Sequence, residues 1–236
     1  MRERTFMKSA LRGLGSAAIL TGAAYGSLVL YNRWKYGTAK ASADRGEDSL
    51  LDRFIPDPEV VEHHQIGIDA PADLVMATAK DMRLLDSPVI RAIIRMRELA
   101  LGGTPDQRQH PSSLVAQMQS IGWVVLSEKA GREIVLGCVT QPWLANPVFR
   151  SVPAAEYLAF AEPGYVKIAW TLRADPVDDR HALFQTETRV ATTDAEARER
   201  FRNYWSFVAP GVELIRMAML RPLKRAAEAR AKVLAA

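Results

Sequence analysis

The stretch Tyr165 to Ala174 constrains the fold of this chain more than any other. Val166, Ile168, Trp170 and Leu172 share one parity, and Tyr165, Lys167, Ala169, Thr171 and Arg173 share the other. Successive side chains of a strand point to opposite faces, so the alternation predicts a strand with one strongly apolar face. Pro176 to Arg180 turns the chain, and Ala182 to Ala191, rich in Thr and Val, follows as a neighbouring strand. Two such strands are a sheet with an apolar side that something else must cover.

The elements before this pair are punctuated by turn and cap residues. Glu59 to Ile68 reads as a first strand, with Val60, Val61, Ile66 and Ile68. Asp69-Ala70-Pro71 starts a helix that runs to about Met82, and Ser87-Pro88 starts a second that Gly102-Gly103 stops. A third, short helix is expected from Ser113 to Ser120. Gly122 to Glu128 and Glu133 to Val139 are apolar runs joined by Lys129-Ala130-Gly131-Arg132, which predicts a hairpin. After the central strands, Asp194 caps a helix expected to break near Pro210-Gly211. A last helix then continues through Val212, Ile215, Met219 and Leu223, with Pro222 expected to kink it.

The N-terminal residues follow different physics. Leu14 to Tyr31 contains eighteen residues without a charge, bounded by Arg12 and by Arg33 and Lys35. At 1.5 Å per residue such a helix spans about 27 Å, close to a bilayer core. Tyr31 and Trp34 suit the interface, and the flanking cations can snorkel. The reading is an uncleaved single-pass anchor over 1–35, a linker over 36–54 and a folded domain over 55–236. A cleaved leader is the main rival. Its one Ala-x-Ala site without a charge, Ala41-Ser42-Ala43, lies roughly ten residues beyond the apolar run, where cleavage is not expected. Four Lys/Arg lie near each end of the run, so charge favours neither orientation.

Charge also narrows the partners. Residues 1–45 carry +6 and residues 211–236 carry +4, which leaves the middle at −6 within a net charge of +4. A nucleic-acid binder concentrates its bases on the folded domain, so no nucleic-acid partner is expected. Basic ends suit anionic lipid headgroups, or they are simply solvated faces. One cysteine, Cys138, excludes an intramolecular disulfide framework and a multi-cysteine metal site. His63 and His64 are adjacent in a strand and so face opposite ways, and no metal or cofactor is expected. No nucleophile-elbow glycines frame a serine. No feature sets an oligomeric state.

A first strand, helices, an antiparallel run of strands and a long C-terminal helix resemble the START-like, or SRPBCC, superfamily. The residues carrying the resemblance are Asp86-Ser87-Pro88, Gly131-Arg132-Glu133-Ile134-Val135-Leu136-Gly137, Pro142-Trp143, Thr186-Glu187-Thr188-Arg189-Val190 and Phe201-Arg202-Asn203-Tyr204-Trp205. The resemblance covers about residues 55–230. It implies an α+β helix-grip fold, in which a curved antiparallel β-sheet wraps a long C-terminal helix; the one N-terminal transmembrane helix expected before it lies outside the resemblance. It also implies a cavity between sheet and helix, lined by apolar residues and a few polar ones.

The expected lining comprises Ile168 and Trp170 from one strand, Phe184, Thr186 and Thr188 from the next, and Tyr204 and Trp205 from the helix. Trp143 and Phe149, in a loop bounded by Pro142 and Pro153, are placed at its mouth. The alternative is that these residues are simply core, with the threonines chosen for β propensity. Glu187 and Arg189 are expected to face outward and pair with Lys167 or Arg173. Three functions fit. One is a membrane-tethered binding or carrier domain for a hydrophobic small molecule or lipid. The second is a cyclase- or dehydratase-type enzyme using the same cavity and Tyr204, or Glu187 if the strand register is reversed. The third is a non-catalytic membrane-bound interaction module with a filled core.

Overall fold

A computed structural model describes residues 50–235 together with Ser27. The expected anchor at 1–35 and most of the linker therefore lie outside the described residues. The central alternation forms the two longest strands, β4 (Val166–Pro176) and β5 (Ala182–Thr192), paired antiparallel from Val166↔Thr192 to Pro176↔Ala182. On one side β5 pairs with β1 (Val60–Ile68). On the other, β4 pairs with β3 (Glu133–Thr140), and β3 pairs with β2 (Val124–Lys129) through the expected hairpin. The result is one five-stranded antiparallel sheet of order β1-β5-β4-β3-β2.

The helices begin and end where the cap chemistry places them. Helix α1 (Ala72–Asp81) follows Pro71. Helix α2 (Pro88–Leu101) has Ser87 as N-cap, its hydroxyl accepting from the Ile90 N–H, and ends on Gly102 at φ 70°. Helix α3 (Leu114–Ser120) is capped by Ser113 in the same way. A further short helix, α4 (Ala154–Ala159), follows Pro153 and lies beyond the expected loop. Gly122, at φ 104°, lets the 142–153 loop approach: a Cβ there would lie 2.1 Å from the Phe149 carbonyl oxygen.

The C-terminal helix corrects the expected break. α5 runs without interruption over Ala195–Leu234, with Pro210 and Pro222 inside it. Each proline removes one intrahelical hydrogen bond, a loss of about 3 kcal/mol in an isolated helix. Tertiary burial offsets it on both sides of each proline. Ser206 and Ala209 are buried before Pro210, and Met219, Leu220 and Leu223 are buried around Pro222. Among the described residues no helix is long and apolar enough to cross a membrane.

Both faces of the sheet centre are covered. The inner face, with Leu136, Cys138, Trp170, Leu172 and Phe184, packs against the helices, and α5 contributes Met219 and Leu223. The outer face, with Val135, Val139 and Ala169, is covered by Leu51, Phe54, Ile55 and Tyr157. All eight residues of β3 are buried as a result. The folded unit thus begins by Leu50, inside the stretch read as linker.

The N-terminal cover is held by one buried cation. Arg189, 2% exposed, donates from Nη1 to Asp52 Oδ1 at 2.5 Å and to the Ile55 carbonyl at 3.1 Å. Its Nε donates to Glu187 Oε1 at 2.5 Å. Glu187 and Arg189 do face away from α5, but they pair with each other and with Asp52, not with Lys167 or Arg173. Arg189→Met should lower stability by about 3 kcal/mol, because it removes one partner of a buried charge pair. Asp52→Asn, at a half-exposed carboxylate, should cost about 1 kcal/mol or less. Urea unfolding with limited proteolysis around residues 50–55 checks both; equal effects would refute the clamp.

Candidate functional site

The site lies where β1, β5 and β4 present their inner rows to α5. Register fixes those rows: Glu62 stands opposite Thr188, His64 opposite Thr186 and Ile66 opposite Phe184. Across the next ladder Thr188 stands opposite Trp170, and Thr186 opposite Leu172. Paired residues in an antiparallel sheet share a face. Glu62, His64, Thr186, Thr188 and Trp170 therefore form one polar-edged patch on an otherwise apolar surface.

The helix adds a cation to this patch. Arg216 is 9% exposed and occupies an inward position between Val212 and Met219. Its Nη2 donates to Thr188 Oγ1 at 2.7 Å, and its Cζ lies 4.4 Å from the centre of the Trp170 ring. The Trp170 indole Nε1 donates to Thr186 Oγ1 at 2.7 Å. Trp123 meets Trp170 edge-on, with ring centres 6.3 Å apart. Burial pulls the Arg216 pKa down to about 10, and the Glu62 carboxylate opposes that fall. The group stays cationic at neutral pH. On β1, His64 Nε2 lies 3.7 Å from Glu62 Oε2 and is buried without a hydrogen-bond partner among the described residues.

Of the residues expected to line a cavity, Ile168, Trp170, Phe184, Thr186 and Thr188 share this inner face. Phe149 joins the same cluster and stacks on Trp123 at 6.4 Å. Trp143 and Trp205 belong to a separate cluster with Val60, Val166, Val190 and Phe201, where Trp205 stacks on Phe201 at 5.6 Å. Trp143 and Phe149 thus pack against different parts of the core. Tyr204 is half-buried, and its hydroxyl accepts from Arg97 Nε at 3.2 Å. Arg97 also donates to the Pro142 and Leu144 carbonyls, which ties α2, the loop and α5 together. Cys138 is fully buried on the inner face, and burial pushes its thiol pKa well up.

Three polar members of the site escaped the sequence reading. Glu62 and His64 have the same parity as Val60, Ile66 and Ile68, which is the signal that would have placed them inward. Arg216 was grouped with the basic C-terminus, yet its spacing from Val212 and Met219 puts it on the apolar stripe. The other bases of that set are partly engaged within the fold. Lys224 donates to the Gly67 carbonyl at 2.7 Å, and Arg230 pairs with Asp81 at 3.2 Å. Among the described residues no group of three or more His, Cys, Asp or Glu could hold a metal ion.

No family model matches the chain, and no curated protein does. Among solved structures it is similar to a hypothetical protein of Helicobacter pylori, at 8% identity over 80% of this chain and 99% of that one, with a TM-score of 0.40. It is also similar to the Zhui aromatase/cyclase of Streptomyces sp. R1128, at 15% identity over 72% and 94% of the two chains, with a TM-score of 0.28. A third is norcoclaurine synthase of Thalictrum flavum, solved with dopamine and hydroxybenzaldehyde, at 9% identity over 78% and 94%, with a TM-score of 0.33. These likenesses are too distant to carry a site or an activity across.

The threonines are tested by removing their oxygens. Thr186→Val keeps the shape of the side chain but leaves the buried Trp170 N–H without its acceptor, at a cost of about 1–3 kcal/mol. Chemical denaturation checks this. A loss within a few tenths of a kcal/mol would show that the indole does not depend on Thr186.

Proposed function

We propose that this chain is a START-like, membrane-tethered binding or carrier domain for a hydrophobic small molecule or lipid, held between the sheet and α5. The observation that carries this reading is an incomplete seal along one edge of an apolar interior. On β1 the inward residues Glu62, His64 and Ile66 are only part-buried, whereas Trp170, Leu172, Phe184, Thr186 and Thr188 beside them are closed off. On α5, Val208, Val212 and Ile215 pack against the apolar clusters and are also only part-buried. An apolar ligand entering along β1 would meet aromatic and aliphatic walls with a few fixed polar groups. The uncharged run Leu14 to Tyr31, with its basic flanks, supports the tether.

A cyclase- or dehydratase-type enzyme is the second reading, favoured by the Glu62–His64 pair on the inner face. Such chemistry needs a titratable group within hydrogen-bond reach of a bound substrate, and His64 Nε2 is a buried nitrogen with no hydrogen-bond partner among the described residues. Tyr204 and Glu187, the groups first considered for this role, are engaged elsewhere.

Two measurements test the proposal. Binding of a fluorescent fatty acid to the full chain should weaken about tenfold in Trp170→Phe, which is 1.4 kcal/mol. It should be unchanged in Lys167→Ala, because Lys167 sits over the Tyr157 ring on the opposite face. No binding by the parent protein would sink the carrier reading. Separately, the full chain should stay with membranes through alkaline carbonate extraction, while a chain lacking residues 1–45 should be released. Retention of the truncated chain would move the attachment to the folded domain.

A further inference from the structure

The buried guanidinium of Arg216 is the least explained group in the fold. Among the described residues it has one hydrogen bond, to Thr188 Oγ1, and no carboxylate within 4 Å. A guanidinium carries five donor hydrogens in a planar fork, so most of its capacity is unused. Burying a cation without a paired anion is unfavourable by several kcal/mol, and a methionine would fill the same place on an apolar stripe at no such cost. Arg189, on the outer face, shows how this chain treats a buried arginine that serves structure. It has two carboxylates and a carbonyl. Arg216 has a hydroxyl and the face of an indole.

We propose that Arg216 receives the oxyanion head of an amphiphilic ligand, a carboxylate or phosphate on an apolar body. This rests on the binding reading given above. The head enters along the part-buried edge formed by Glu62 and His64 and meets the free side of the guanidinium. The body lies along the apolar rows of β4, β5 and α5. Thr188 and the Trp170 ring hold the fork in place, and Thr186 holds the indole. Glu62 is the charged group that faces Arg216 from β1, and His64 is the titratable group beside it. Before a ligand arrives, the Glu62 carboxylate is a counter-charge that favours the Arg216 cation. After it arrives, Glu62 is a like charge to the head. The site therefore selects for anions through Arg216 while Glu62 limits how tightly they are held.

The opposed roles of Arg216 and Glu62 give a test that a folding defect cannot imitate. The probes are oleate, oleyl phosphate, oleyl alcohol and inorganic phosphate, competed on the full chain in nanodiscs of neutral lipid and read by native mass spectrometry. The parent protein should prefer the two anionic amphiphiles to the alcohol by at least about tenfold, the range of charge-assisted hydrogen bonds. Arg216→Met should abolish that preference and keep alcohol binding. Glu62→Gln should tighten oleate and leave the alcohol unchanged. The preferred head separates the two sources, a carboxylate from a phosphate ester. Equal binding of acid and alcohol by the parent, or an unchanged preference in Arg216→Met, would overturn the head-group assignment and leave the carrier reading standing. Inorganic phosphate competing as well as oleyl phosphate would overturn the amphiphile. Failure of every lipid probe would remove the carrier reading itself, and this proposal with it.

Discussion

The inner face of β4 and β5 against α5 is the interface on which the rest of the fold depends. Two eleven-residue strands present a continuous row from Ile168 and Trp170 through Phe184. Strands of that length span about 36 Å, whereas a forty-residue helix spans about 60 Å. The helix therefore outruns the sheet. Its first half packs Phe201, Trp205 and Ala209 against Val166 and Val190, and its far end reaches Asp81 of α1 through Arg230. Burial over this whole length explains why one helix passes through Pro210 and Pro222. A polar side chain within this interface is costly unless partnered, so the Trp170 indole donates to Thr186 and Arg216 donates to Thr188.

Covering the outer face as well changes the character of the domain. A sheet with one solvated face would leave Val135, Val139 and Ala169 in water. Here Leu51, Phe54 and Ile55, the first two inside the stretch read as linker, cover them together with Tyr157. The stretch from Leu51 to Ile55 is thus part of the core, fastened through Asp52 to Arg189 on β5. The same strand carries Thr186 and Thr188 toward α5 and Glu187 and Arg189 away from it. One strand thereby joins the N-terminal attachment to the inner face, with alternate residues serving each.

Much of this was legible in the sequence because it is local. The strand alternation from Val166 to Leu172, the Ser87 and Ser113 caps, the Gly102 stop and the 129–132 hairpin are each specified by a few neighbouring residues. What escaped needs tertiary information. The proline-bearing helix contradicts local propensity, and only burial at positions such as Leu220 and Leu223 restores it. The helix at Ala154–Ala159 is six residues long and gains its place from Tyr157 packing under the sheet. Glu62, His64 and Arg216 were overlooked for a different reason. Charged residues are ordinarily outside, so their parity with Val60, Ile66, Val212 and Met219 was outweighed by their chemistry.

That last conflict bears on whether the site binds or reacts. A group kept for proton transfer must change charge during turnover, which favours a side chain able to lose or gain a proton near neutrality. Arg216 is still cationic even with its pKa pulled down to about 10, so it offers a fixed charge and a fork of donors. It can orient a ligand or stabilise an anion, but it cannot exchange protons in the ordinary pH range. His64 stands at the part-buried edge of the patch, beside Glu62. Burial works against the Arg216 charge, and the charge persists only because a guanidinium starts from a very high pKa. A site built this way suits recognition first, with any reaction confined to the rim.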